Sequence, residues 1–163
     1  MGIDFSSEAV SLCNNWYEHQ KNLRFTEGNA EDIPFPDSSF DVVYNVESSH
    51  CYGNISKFIE EVFRVLRKGG NFCWTDFRDD KSIELIDQIF LESGFTIVSK
   101  REITNEVLAA LNSINDAKKE RIEELVPKSI RRSFETFAGV EGTPVYEAFK
   151  NQKLKYFCYQ MSK

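Results

Sequence analysis

Long apolar runs are missing from this chain, and so is a charged-then-apolar leader ahead of a cleavage site. A membrane span and a secretory leader are therefore not expected, and the reading is a cytoplasmic protein. No pair of cysteines has C-x-x-C spacing. The four present, at 13, 51, 73 and 158, are scattered, which favours reduced core thiols over disulfides and gives no metal site. Positive charge is scarce: the formal net charge is −6, with acids and bases interspersed. Without a basic stripe to meet phosphates, no nucleic-acid partner is expected. Low-complexity sequence and internal repeats are also missing, while hydrophobic residues make up 41% of the chain, so it should fold. Its 163 residues are most simply one domain, residues 1–163.

Strand and helix signals alternate along the chain. Gly2-Ile3-Asp4 reads as the end of a buried strand. Ser6 or Ser7 can cap a helix that carries Glu8 in its first turn and an apolar stripe to about Lys21. Leu23 to Thr26 reads as a short strand, followed by a loop punctuated by Gly28, Pro34 and Pro36. "FDVVYNV" has the continuous apolar character of a strand buried on both faces. In "NISKFIEEVFRVLRKGG", Ile55, Phe58, Ile59, Val62, Phe63 and Leu66 fall at helical spacing, and Gly69-Gly70 stops the helix. "NFCWTDF" predicts a strand, Ser82 to Ser93 a helix, "FTIVSKREI" another strand and "LKYFCYQMS" a closing one. Such alternation predicts an α/β fold, a mostly parallel sheet with helices on both faces. Residues 104–152 are longer than a simple crossover needs and predict a helical insertion, a lid or substrate wall.

Three stretches, in order, resemble the class I S-adenosylmethionine-dependent methyltransferases, in the small-molecule branch termed type 11. These are "GIDFS", "GNAEDIPFPDSSFDVV" and "RVLRKGGNF", covering residues 2 to about 78. The tail from "FAGVEGTP" onward is similar to natural-product and lipid methyltransferases of the same branch. The resemblance implies a Rossmann-like methyltransferase fold, S-adenosylmethionine as cofactor, and a small or lipid-like acceptor, methylated at oxygen.

It also implies roles for residues. Asp4, at a strand's carboxyl end, can accept bonds from the ribose hydroxyls, with Phe5 beside the adenine; capping the next helix is the alternative for Asp4. Asn29, Ala30 and Glu31 stand where the family reads the adenine edge, and Asn29 could equally only shape the turn. Asn45 should lie near the sulfonium and methionine portion. Transfer from a sulfonium is an in-line displacement, so alignment matters most. A hydroxyl acceptor must also lose its proton, which suits an imidazole. His50 is the candidate base, with Glu47 orienting it or contacting substrate. Tyr52, Phe77 and Arg78 are the candidate substrate contacts, with Asp76 also facing the acceptor.

The family's first strand and acidic, glycine-rich turn, E/D-x-G-x-G-x, have no counterpart among the eight glycines. The fold is thus expected to be truncated at its N-terminus. "FDVVYNV" then becomes a sheet edge, to be covered by a second copy or by a partner. The other reading is a catalytically inactive module that serves in protein interaction.

Overall fold

The computed structural model describes residues 1–163. Strand β1 (Gly2–Asp4) leads into α1 (Ser7–Trp16) and β2 (Phe25–Glu27). Strand β3 (Phe40–Val46) leads through a 3-10 turn, Ser49–Cys51, into α2 (Ile55–Val65) and β4 (Leu66–Arg78). Helix α3 (Asp80–Glu92) and β5 (Thr96–Glu102) follow. Four helices then intervene before the last strand: α4 (Thr104–Ser113), α5 (Asn115–Leu125), α6 (Arg131–Phe137) and α7 (Pro144–Lys150). Strand β6 (Lys155–Ser162) closes the chain.

Helix starts follow local chemistry. Ser6 Oγ accepts from Ala9 N, Asn54 Oδ1 from Lys57 N and Asp79 Oδ1 from Ser82 N. Each cap satisfies a donor that the first helical turn cannot. Helix α2 ends sooner than its apolar spacing predicts. Leu66 is fully buried and already extended, pairing with Phe40 of β3. Lys163 Nζ donates to the carbonyls of Phe63 and Leu66, at 2.5 and 2.7 Å, and so replaces the next helical turn. Arg67 turns instead to Asp41, with contacts of 2.8 and 2.7 Å.

Four strands form one sheet in the order β3-β4-β6-β5. Strands β3 and β4 are parallel, and β6 is antiparallel to both its neighbours, so β6 alone opposes the common direction. Helices α2 and α3 cover one face, where the rings of Phe72, Trp74, Phe90 and Tyr159 pack edge-on or tilted with separations of 5.3–6.1 Å. The opposite face is covered less fully than expected: Cys73, Thr75 and Cys158 are only half-buried.

Strands β1 and β2 pair with each other in a separate two-stranded parallel sheet. The expectation that "FDVVYNV" is buried on both faces fails: Val42, Tyr44 and Val46 are 54%, 76% and 59% exposed. The physical reason is its place at the edge of the larger sheet. An apolar cavity of about 370 Å³ lies between β1 and β3, lined by Ile3, Val10, Phe25 and Val43.

The turn after β2 is clamped to α2. Glu61 Oε2 accepts from Ile33 N at 2.7 Å, and Arg64 donates to the carbonyls of Ile33 and Phe35, at 2.9 and 2.8 Å, and to Glu61. The Arg64 hydrogen bond, with that of Ile33 N, outweighs burial and holds the Glu61 carboxyl below its ordinary value of 4.5. A depressed carboxyl stabilises the fold above the unfolded value, and this contribution is lost as pH falls through the folded one. Stability measured against pH should therefore drop below about 4.5, and Glu61→Gln should flatten that limb. An acid limb unchanged in Glu61→Gln would contradict the clamp.

Candidate active site

The carboxyl ends of β1, β2, β3 and β4 open onto one crevice of about 1200 Å³. Asp4 and Phe5 come from the first, Asn29, Ala30 and Glu31 from the turn after the second, Glu47 and His50 from beyond the third, and Phe77 from the fourth. Crevices beyond the carboxyl ends of parallel strands are where open α/β sheets bind ligands. "GIDFS" and "GNAED" thus face a shared space.

His50 is held from below. Asp76, with no solvent exposure, lies 2.8 Å through Oδ1 from His50 Nδ1. Its carboxylate also accepts from Ser49 Oγ at 2.7 Å, from His50 N at 3.0 Å and from Phe77 N at 2.9 Å. Arg78 completes the set, 3.2 Å from Oδ2. A carboxylate only accepts, so Nδ1 carries the hydrogen in this contact and Nε2 is the free base. The imidazole lies against Phe77, with ring centroids 4.5 Å apart. Ser49 Oγ, buried, accepts from Trp74 Nε1 and from Arg78 while donating to Asp76.

Several candidate residues are placed differently from expectation. Asp76 does not face an acceptor; it lies inside β4, beneath His50. Arg78 does not face one either. Its side chain is only 10% exposed and is turned inward to Asp76, Ser49 and the Trp74 ring, because the buried carboxylate demands a counter-charge. The orienting role considered for Glu47 belongs to Asp76. Glu47 sits at φ 49°, a left-handed conformation uncommon away from glycine, and lines the crevice beside Tyr156. Burial, and then the Glu47 carboxylate, push the Tyr156 hydroxyl well above its ordinary value.

Local hydrogen bonds also engage several of the candidate cofactor-binding residues. Asp4 Oδ1 accepts from Ser6 N at 2.8 Å and Asn29 Oδ1 from Glu31 N at 2.9 Å, so both also shape their turns. Glu31 Oε1 accepts from Gly53 N and Asn54 N, at 2.8 and 3.0 Å, which fastens the turn to the start of α2. Asn45 lines the neighbouring cavity between β1 and β3 and donates to Ser48 Oγ and Tyr52 Oη. Its Oδ1 is buried with no partner. The two cavities adjoin, sharing Asp4, Ala30, Ser48 and Tyr52.

The far wall of the crevice is apolar. Val107 and Leu111 of α4, Phe137 of α6, and Val145 and Phe149 of α7 line it. Lys118 Nζ holds the turn after Phe137, donating to the carbonyls of Ala138 and Gly139 at 3.0 and 3.2 Å. Burial lowers the Lys118 pKa. Sequence reasoning missed Ser49 and Tyr156 as parts of this arrangement and gave Asp76 a place facing the acceptor; an acid within the mainly apolar "NFCWTDF" was the available signal for its buried role.

An α/β sheet with this order and this crevice is the Rossmann-like methyltransferase fold. Phosphoethanolamine N-methyltransferase 2 of Haemonchus contortus, solved with S-adenosyl-L-methionine, superposes with a TM-score of 0.80 at 15% identity, over 99% of this chain and 42% of that one. Residues 1–74 match the family described as a methyltransferase domain. A phthiotriol/phenolphthiotriol dimycocerosates methyltransferase of Mycobacterium leprae is 34% identical over 99% of this chain and 60% of its own length. A fatty-acid O-methyltransferase of Mycolicibacterium smegmatis is 32% identical over 97% of this chain and 57% of its own. Residues 1–74 thus match the methyltransferase domain of the type 11 branch, and along nearly its whole length the chain is similar to these two methyltransferases. It spans about 60% of the length of the first of these curated relatives.

Proposed function

We propose that this chain serves methyl transfer from S-adenosylmethionine to a hydroxyl or carboxyl oxygen of a lipid-like acceptor. The observation that carries this is the Asp76-held His50 imidazole in the crevice that also receives Asp4 and the Asn29 turn. The residues present fit the adenosyl portion of the cofactor. Asp4 keeps one carboxylate oxygen uncommitted for the ribose, Phe5 offers an 80% exposed ring to the purine, and Asn29 with Ala30 presents the turn that meets the base. Glu31 supports that turn through the start of α2. The orphaned Asn45 Oδ1 can accept from a donor at the methionine end. None of the crevice-lining residues is Lys or Arg, so charge pairing at the amino-acid carboxylate is not part of this reading.

When bound, the cofactor would supply an electrophilic methyl group on a sulfonium. His50 Nε2 takes the proton from an acceptor hydroxyl, and Asp76, accepting from Nδ1, keeps the ring oriented and stabilises its charged form. Tyr52 and Phe77 stand beside the reacting oxygen. Residues 104–152 act as the substrate wall, their apolar side chains holding a chain that water would not. Mycobacterial relatives named for lipid substrates support this acceptor class.

Calorimetry with S-adenosylhomocysteine should give binding that Asp4→Ala weakens. His50→Ala should keep that affinity yet lose methyl transfer to a long-chain acceptor bearing a free hydroxyl by roughly 10²–10⁴-fold. Absence of binding heat at millimolar ligand, or transfer unaffected in His50→Ala, would contradict the proposal.

The exposed edge of β3 supports a further part of the same reading: a second copy of the chain covers it. Unpaired strand edges with apolar side chains recruit other strands, and Val42, Tyr44 and Val46 present such an edge. Sedimentation at micromolar concentration should show a dimer or larger species that Val42→Lys shifts toward monomer. A stable monomer across that range would contradict it.

A further inference from the structure

The acceptor wall has an outer side with a composition of its own. Ile130, Phe134 and Phe137 fall at i, i+4 and i+7 over the 3-10 turn at Lys128–Ile130 and helix α6, so they share one face. They are 45%, 47% and 90% exposed, and Leu125 at the end of α5 is 61% exposed beside them in sequence. Phe137 belongs to both surfaces: it is the most exposed large apolar residue of the chain and it also lines the crevice. The apolar stripe therefore ends at the mouth of the acceptor site.

Charge distinguishes this patch from the exposed rings near the N-terminus. Val126 to Phe137 carries Lys128, Arg131 and Arg132 against one acid, Glu135, in a chain whose net charge is −6. Phe5 and Trp16, by contrast, have Asp4, Glu8 and Glu18 as their sequence neighbours. Arg131 is committed to the carbonyls of Val126 and Glu123 at the end of α5 and braces the segment. Lys128 is exposed, and Arg132 is 70% exposed with only a 3.4 Å contact to Glu135. The acids Glu120, Glu123 and Glu124 lie on α5, before the stripe begins.

We infer that the segment Lys128–Phe137 docks on an anionic phospholipid surface, seating Ile130, Phe134 and Phe137 among the acyl chains so that the crevice mouth opens toward the lipid. An apolar stripe flanked by basic side chains is the pattern by which short helical segments lie in a membrane interface. The placement deepens the lipid-acceptor reading and rests on it: an acceptor of low water solubility reaches the crevice along the stripe that Phe137 terminates.

The test is co-sedimentation of the full chain with sucrose-loaded vesicles, either of phosphatidylcholine alone or with about one quarter phosphatidylglycerol. Calorimetric binding of S-adenosylhomocysteine serves as the control for the site itself. Binding should require phosphatidylglycerol and weaken with salt. Lys128→Glu with Arg132→Glu should reduce it about tenfold or more while leaving the cofactor-product affinity intact, and Phe134→Ser with Phe137→Ser should reduce it as well. Equal binding to both vesicle types, no binding to either, or insensitivity to these variants overturns the inference, whatever the cofactor result. A dimer in solution that the same variants abolish also overturns it, because a second copy then covers the stripe.

Discussion

A carboxylate with no access to water is costly unless its oxygens are paired, and Asp76 imposes that requirement on everything around it. The chain meets it with the Ser49 hydroxyl, the backbone amides of His50 and Phe77, the His50 ring and the Arg78 guanidinium. Each of these groups loses its freedom in doing so. The turn after β3 is drawn onto β4, Arg78 is withdrawn from the surface, and His50 is left with one defined ring orientation. A group poised for proton transfer needs that pre-set geometry more than it needs proximity alone.

Packing is distributed unevenly around this centre. Under α2 and α3 the sheet has a dense aromatic core, with Phe72, Trp74, Tyr159 and Met161 at no more than 1% exposure. On the side of β1 and β3 the two sheets meet across an apolar cavity, and α1 has no buried residue. The crevice lies between these regimes. The proposed base, His50, hangs from the densely packed side, through β4 and the Ser49 turn. The residues proposed to meet the adenosyl group, Asp4 and the Asn29 turn, belong to the β1–β2 unit and to the loop that Glu61 and Arg64 clamp onto α2.

Much of this was legible in the sequence where the signal is local. The spacing of Ile55, Phe58, Ile59 and Val62 placed α2, and Ser6 marked a helix start; the helix expected to end at Ser93 ends beside Gly94, which takes φ 92° after α3. The ordered motifs placed "GIDFS" and "GNAED" on the same space because strand ends of one direction converge. What was not legible depends on partners distant in the chain. Helix α2 stops at Val65 because Lys163 caps it, nearly a hundred positions away. Glu31 was read as a base contact, and the structure shows one of its carboxylate oxygens engaged by the amides of Gly53 and Asn54. Arg78 reads as a free cation until the burial of Asp76 is known.

The central claim is that Asp76 dictates the state of the His50 ring. Nitrogen-15 spectra of the side chain, recorded where the imidazole is neutral, test it directly. The account predicts the hydrogen on Nδ1 and a bare Nε2 in the intact chain, with that preference relaxed in Asp76→Asn. A neutral ring protonated at Nε2 in the intact chain would contradict it.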